Sequence, residues 1–269
     1  MSIKLIMHSP PDVPLETHCI SPDSLTNLSQ SGVENLEVMH GNDKARLGDF
    51  FTVKGKGHEK ILIEGDTSNV KYLGARMSHG SISIEGDVSM HLGWNMSGGE
   101  ITVNGNAGDW VGPEMSGGRI TIMGNAGHMV GSAYRGQTTG ILGGEIFVHG
   151  NVKNEAGHAM RRGLIAVGGN AGDFTGVNLL AGSVIVCGEM GIRAGAGMKR
   201  GTIVSFSQAD VLPTFEFACT YHPVFLRFYL KHLRDNGFDI DDRYINGRYD
   251  RWSGDSIELN RGEILLFNK

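Results

Sequence analysis

The stretch Gly98–Gly131, GGEITVNGNAGDWVGPEMSGGRITIMGNAGHMVG, says nearly the same thing twice. Glycines aligned on the second phrase recur at Gly80, Gly99, Gly118, Gly144, Gly163, Gly182 and Gly201. The steps are 19, 19, 26, 19, 19 and 19 residues. A second column runs through Gly86, Gly105, Gly124, Gly150, Gly169 and Gly188, and a third runs from Gly74 to Gly195. All three keep the same period and take their one long step at the corresponding place. Such self-similarity marks units that bury their apolar side only by stacking on a neighbour.

Between the first two columns lie short alternating segments: SISIE, EITVN, RITIM, EIFVH, LIAVG and SVIVC. Their β-branched residues fall on every second position, as in Ile101/Val103 and Ile120/Ile122. Period two with β-branched residues predicts strands with one buried face. One five-residue strand per 19 residues, followed by tight glycine corners, leaves no room for a return strand. The fold class expected is therefore all-β: a right-handed parallel β-solenoid, or β-helix, of 19-residue glycine-rich rungs. Glycine serves the corners because a positive φ carries no Cβ penalty there.

Two further columns agree. Met77, Met96, Met115, Ile141, Met160, Leu179 and Met198 each stand three residues before a lead glycine and are expected to fill the interior. Asp87, Asn106, Asn125, Asn151, Asn170 and Glu189 each follow the second glycine and suggest an inner or corner ladder of stacked amides. GNAG resembles a phosphate loop only superficially, since no strand–loop–long-helix context follows it.

The period predicts three segments: an N-terminal cap over 1–58, the solenoid over 59–207, and a C-terminal helix and tail over 208–269. In the first, SPDSLTNLSQSG reads as a short helix with Ser21 as N-cap and Pro22 in the first turn. GDFFTVKGKG reads as a strand and turn. In the last, Phe225, Leu226, Tyr229, Leu230 and Leu233 are spaced for one amphipathic helix stopped at Asn236-Gly237. GRYDRWSGDSIELNRGEILLF reads as turns and a final strand, with Trp252–Asp255 as a structural turn. Asp239–Arg243 reads as a solvated turn. The seven extra residues fall within GSAYRGQTTG, a loop leaving the stack, where Tyr134 and Arg135 suit a partner contact or a tolerated surface loop equally.

The chain has 269 residues, 41 of them glycine, and a net charge of −5, which disfavours a general nucleic-acid surface. No run approaches the roughly 20 apolar residues of a membrane span. The three cysteines form no C-x-x-C, so neither a disulfide framework nor a cysteine metal site is suggested, and a cytoplasmic location is expected. His128, His149 and His158 fall on different rungs and read as decoration. Nothing resembles a nucleophile elbow or a dinucleotide fingerprint. The residues singled out for ligand binding are basic: Arg161-Arg162 and Lys199-Arg200, two repeats apart and so roughly 10 Å from each other, with Arg193 nearby. They suit a polyanionic ligand, an acidic partner, or an ordinary solvated face.

The rungs GNAGDWVGPEMSGGRI, AGHAMRRGLIAVGGNAGDF and AGSVIVCGEMG resemble the C subunit of formylmethanofuran dehydrogenase, strongly over about residues 60–207 and more weakly at both ends. The tail LPTFEFACTYHPVF…GRYDRWSGDSIELNRGEILLF is most similar to the C subunit of the bacterial formyltransferase/hydrolase complex of methylotrophs. The same rungs form the structural C-terminal domain of the glutamate synthase large subunit, so the pattern specifies a solenoid better than an activity. The resemblance implies a non-catalytic, cofactor-free scaffold subunit in one-carbon metabolism, in a complex oxidising formaldehyde. Its partners would be an amidohydrolase-like A subunit holding the metal, a B subunit related to molybdopterin or tungstopterin proteins, and a formyltransferase D subunit. The complex would use a methanofuran-type coenzyme and tetrahydromethanopterin. The coenzyme's glutamate-rich tail would suit Arg161, Arg162, Lys199 and Arg200. An archaeal-type tungsten or molybdenum enzyme, or a glutamate-synthase-like solenoid, is the alternative.

Overall fold

The computed structural model describes residues 2–268. Before the strict repeats come β1 (Ser2–Met7), β2 (Leu15–Glu16), α1 (Pro22–Leu25), α2 (Gln30–Glu34), β3 (Glu37–His40), β4 (Asp43–Arg46), β5 (Phe51–Gly55), β6 (Lys60–Glu64) and β7 (Val70–Lys71). The repeats contribute β8 (Ser81–Glu85), β9 (Glu100–Val103), β10 (Arg119–Ile122), β11 (Glu145–Val148), β12 (Leu164–Val167), β13 (Ser183–Val186) and β14 (Arg200–Ser205). The remainder is β15 (Glu216–Tyr221), α3 (Leu226–Asp235), α4 (Asp242–Asn246), β16 (Arg248–Gly254) and β17 (Arg261–Asn268).

Thirteen of these strands form one mostly parallel sheet, ordered β15-β16-β17-β14-β13-β12-β11-β10-β9-β8-β6-β1-β5. From β8 to β14 each strand pairs in parallel with the copy before it, without a register slip: Ile82 meets Ile101, Ile101 meets Ile120, and Ile120 meets Ile146 across the long step. A second parallel ladder of single bridges runs Thr67, Val88, Ala107, Ala126, Val152, Ala171, Met190. A one-residue slip would turn every core isoleucine outward, which is why the register holds across the insertion.

The column Met77, Met96, Met115, Ile141, Met160, Leu179, Met198 is wholly buried, as its periodicity predicted. The corners are built to a close tolerance. Gly118 has φ +82°, and a Cβ there would stand 2.7 Å from the Gly99 carbonyl oxygen of the preceding repeat. The asparagine column lies at a corner and works differently from a pure amide stack. Each side-chain oxygen accepts chiefly the backbone N–H of its counterpart one repeat on: Asn125 N–H to Asn106 Oδ1 at 2.8 Å, and Asn151 N–H to Asn125 Oδ1 at 2.8 Å. The corner amides would otherwise lack a strand partner.

Ser21 caps α1, accepting from Ser24 N–H at 3.2 Å, and Phe51–Gly55 is the expected strand. The reading of GRYDRWSGDS as turns is corrected. Arg248–Gly254 is a strand, and Trp252 lies within it opposite Ile264. β14 leaves an open sheet edge, and β17 with β16 extends the ladder there, so local turn signals yield to backbone pairing. Asp239–Arg243 is likewise more than a turn: Asp241 accepts from Arg243 N–H at 2.7 Å and caps α4.

The expectation of one buried face holds for β8–β10 and fails beyond them. Phe147, Ala166, Ile185 and Val204 point away from the methionine column, yet are also buried. They meet Leu226, Leu230 and Leu233 of α3, with Phe238, Ile240, Tyr249 and Phe267, in a second core. Each such leucine contributes roughly 1.5–3 kcal/mol by leaving water.

Candidate binding clefts beside the third helix

The basic residues stand where loops enter β12 and β14. Arg161 and Arg162, whose N–H groups both donate to Ile141 O, precede β12, while Lys199 and Arg200 lead into β14. Leu180 and Ala181 of the intervening repeat sit between the pairs. All four cationic side chains are exposed. Lys199 Nζ lies 3.8 Å from a Glu258 carboxylate oxygen. Arg161, Arg162 and Arg200 have no ion-pair partner among the described residues.

Two clefts flank this row. The larger, about 570 Å³, opens between the sheet and α3, with Arg161, Arg162, Leu164, Phe228, Tyr229 and His232 on its walls. The smaller, about 310 Å³, is bounded by Arg161, Arg162, Leu180, Lys199, Arg200 and Leu259. The structure thus brings together four of the five basic residues. Arg193 is not among them. It sits at φ +61° with its guanidinium 5.3 Å from the Phe174 ring.

The floor of the larger cleft is held by a polar clasp. Glu145 accepts from Arg119 Nη2 at 2.7 Å and lies 2.8 Å from His232 Nε2, while Arg119 Nη1 donates to Asn236 Oδ1 at 2.9 Å. The clasp ties the C-terminal half of α3 to β10 and β11.

Tyr134 and Arg135 part company. Arg135 is exposed, whereas Tyr134 folds back to place its hydroxyl 2.7 Å from His91 Nδ1. Burial, helped by the charges of Lys71 and His18, pushes the His91 pKa down to about 4, so its imidazole is neutral at neutral pH. Burial raises the Tyr134 hydroxyl. These two rings belong to a stack that sequence reading missed: His18 on Tyr72 at 4.0 Å, Tyr72 on His91 at 4.6 Å, and His91 on Trp110 at 5.5 Å. The signal was present, because Tyr72, His91 and Trp110 are 19 residues apart. Each holds a positive φ, as do Met129, Glu155, Phe174 and Arg193 further along the column. Side chains at such corners point alike and meet across repeats.

His128, His149 and His158 do not converge, whereas His58 and His79 both approach Glu59 Oε1, at 3.4 and 3.6 Å. His149 stacks on Phe238 at 4.5 Å, burial lowering its pKa, and the His128 ring faces Asn154 N–H. Among the described residues no three His, Cys, Asp or Glu side chains are grouped to hold a metal, and no helix is long and apolar enough to cross a membrane.

Residues 66–216 match the family described as GXGXG motif. Over 99% of this chain and 100% of the other, the fold superposes with a TM-score of 0.92 and 32% identity on a chain of the formyltransferase/hydrolase complex FhcABCD from Methylorubrum extorquens, solved with methylofuran. This chain belongs to the GXGXG-motif family and, within it, to the group of formylmethanofuran dehydrogenase C subunits. The C subunit of tungsten-containing formylmethanofuran dehydrogenase 2 from Methanothermobacter wolfeii is 44% identical over 87 residues, covering 30% of this chain and 32% of that one. The C subunit of the M. extorquens formyltransferase/hydrolase complex is 35% identical over 73 residues, covering 27% and 28%. The alignments with these two curated relatives of the group therefore span about a third of their length or less.

Proposed function

We propose that this chain is the C-type, non-catalytic scaffold subunit of a formyltransferase/hydrolase complex in tetrahydromethanopterin-linked formaldehyde oxidation. The observation that carries this reading is the end-to-end likeness to a chain of such a complex, at 32% identity and a TM-score of 0.92. In this reading the repeats coil as a right-handed β-solenoid over 59–207, capped by 1–58 and closed by 208–269. The in-register parallel ladders at two places in each repeat support that geometry. The solenoid stands as a rigid body against A, B and D subunits, and the chemistry and metal belong to the A subunit. The histidines support the non-catalytic assignment, since His91 is spent on stacking and on Tyr134, His149 on Phe238, and His232 on Glu145.

Arg161, Arg162, Lys199 and Arg200 would hold the glutamate-rich tail of a methanofuran-type coenzyme. Adjacent cations, three of the four lacking an ion-pair partner among the described residues, attract a flexible polyanion without a shaped pocket. Arg193 falls outside this assignment, being engaged by Phe174. The higher local identity to the tungsten enzyme's C subunit favours a second reading, an archaeal-type dehydrogenase carrying tungsten or molybdenum.

Purification of the native protein, with a mass-spectrometric inventory of its companions, tests the first reading. Amidohydrolase-like and formyltransferase polypeptides are expected, and recovery as a lone monomer would overturn it. Stoichiometric tungsten or molybdenum in the preparation would favour the second. Within the complex, Arg161→Glu with Arg162→Glu should raise KM for the coenzyme several-fold while melting is unchanged, and unaltered kinetics would remove the tail-binding role.

A further inference from the structure

The third helix is apolar on two sides. Leu226, Leu230 and Leu233 are its buried stripe. Phe228 stands on its opposite side, and Val224 and Phe225, in the turn just before the helix, extend that apolar surface, the three side chains being 75%, 63% and 37% exposed. A surface helix that packs on one body has one apolar stripe and a polar outer face. Phe228 is the most exposed phenylalanine of the described residues, and it stands at the mouth of the larger cleft. Bare aromatic residues of this kind are enriched at the centres of protein interfaces.

The charge around this stripe selects the occupant. Arg227 and Lys231 share the outer face of α3 with the single carboxylate Asp235, all three exposed, and Arg161 and Arg162 face Phe228 across the cleft, so the positive charges outnumber the negative. The patch is cationic on a chain whose net charge is −5. A second copy of this chain, applied through a two-fold axis, would set arginine and lysine against themselves.

We infer that the outer face of α3 docks a different, acidic polypeptide, which receives Phe228 in an apolar socket rimmed by carboxylates. The proposal deepens the subunit reading and rests on it only for the existence of partner chains. Because the cleft mouth is shared, the docked partner would also wall in the row of Arg161 and Arg162. A coenzyme tail lying there would then be sandwiched between two subunits. Rim charges of this kind act mainly on association rate and its salt dependence, while the buried aromatic ring sets the residence time.

Two measurements on the assembled complex test this. With Phe228 replaced by photoreactive benzoylphenylalanine, irradiation should cross-link this chain to a partner polypeptide at a segment containing Asp or Glu beside apolar residues. Phe228→Asp should weaken that partner's retention by about tenfold or more, and Arg227→Glu with Lys231→Glu should weaken it and change its salt dependence. Circular dichroism melting of each variant should match the wild type, since none of these side chains is buried. A cross-link to a second copy of this chain would overturn the proposal. So would full retention of every partner by Phe228→Asp. If the wild-type chain itself retains no partner, the subunit reading fails along with this one; if the wild type does and the variants do too, only the docking face is wrong.

Discussion

The strands β8–β10 and β11–β14 repeat the same phrase at the same spacing, yet they live in different surroundings. Inward positions are alike throughout: Ile82, Ile101, Ile120, Ile146, Ile165, Val184 and Ile203 are all buried in one column. Outward positions diverge. Following the strand register, they read Ser83, Thr102, Thr121, then Phe147, Ala166, Ile185, Val204. The first three are partly exposed and polar, and the last four are sealed beneath α3 and the C-terminal strands. The change comes at the seven-residue insertion. The repeat is thus a neutral framework, and its outward positions are polar where the sheet faces solvent and apolar where a second layer covers it.

The largest effect that would test this contrast is a charge placed at the outward position of each region. Ile185→Asp buries an unpaired carboxylate and is expected to cost several kcal/mol of stability, whereas Thr102→Asp in the same column should stay within about 0.5 kcal/mol. Chemical denaturation of both variants measures it, and equal losses would mean that the two regions are not differently covered. A smaller effect is expected at the corners, where both regions should behave alike. Asn125→Ala removes the acceptor for Asn151 N–H and should cost about 1 kcal/mol. Asn170→Ala, which removes the acceptor for Glu189 N–H, should cost about as much. A large difference between them would show that the corner ladder, too, depends on what covers the outer face.

The effect smallest at neutral pH, and visible only on acidification, belongs to the aromatic stack of the uncovered region. His91 is held neutral, with its pKa lowered from 6.5 to about 4. Between those values the unfolded chain binds the proton and the folded chain does not, so stability declines as pH falls from 6.5 and the His91 contribution levels off below about 4. His91→Gln should flatten that acid slope relative to the wild type. An unchanged slope would mean that the stack does not exclude the proton.

Much of the framework was legible in the chain. The strands, the parallel register, the buried methionine column, the Ser21 cap and the helix near residue 226 all follow from period and propensity, which act over a few residues or between identical neighbours. The exposed Phe228 could have been read as well, because in VFLRFYLKHL it stands off the leucine stripe of Leu226, Leu230 and Leu233. The aromatic stack needed only the 19-residue column to be extended through Tyr72, His91 and Trp110. The Trp252 strand could not be read, because RYDRWSG carries turn residues and becomes a strand only where the edge left by β14 and β17 offers it hydrogen bonds.

By itself, then, the sequence determined the stacking of its copies, since each repeat meets another nearly like itself and the matching rule is the same at every step. Only the tertiary structure decided which outer face is covered, which four cations gather into a row and why Arg193 leaves it, and how the clefts form beside α3. Those depend on contacts between segments with no sequence relation to one another, such as residues 161–162 with 228–232. Chain periodicity carries no information about where such segments meet.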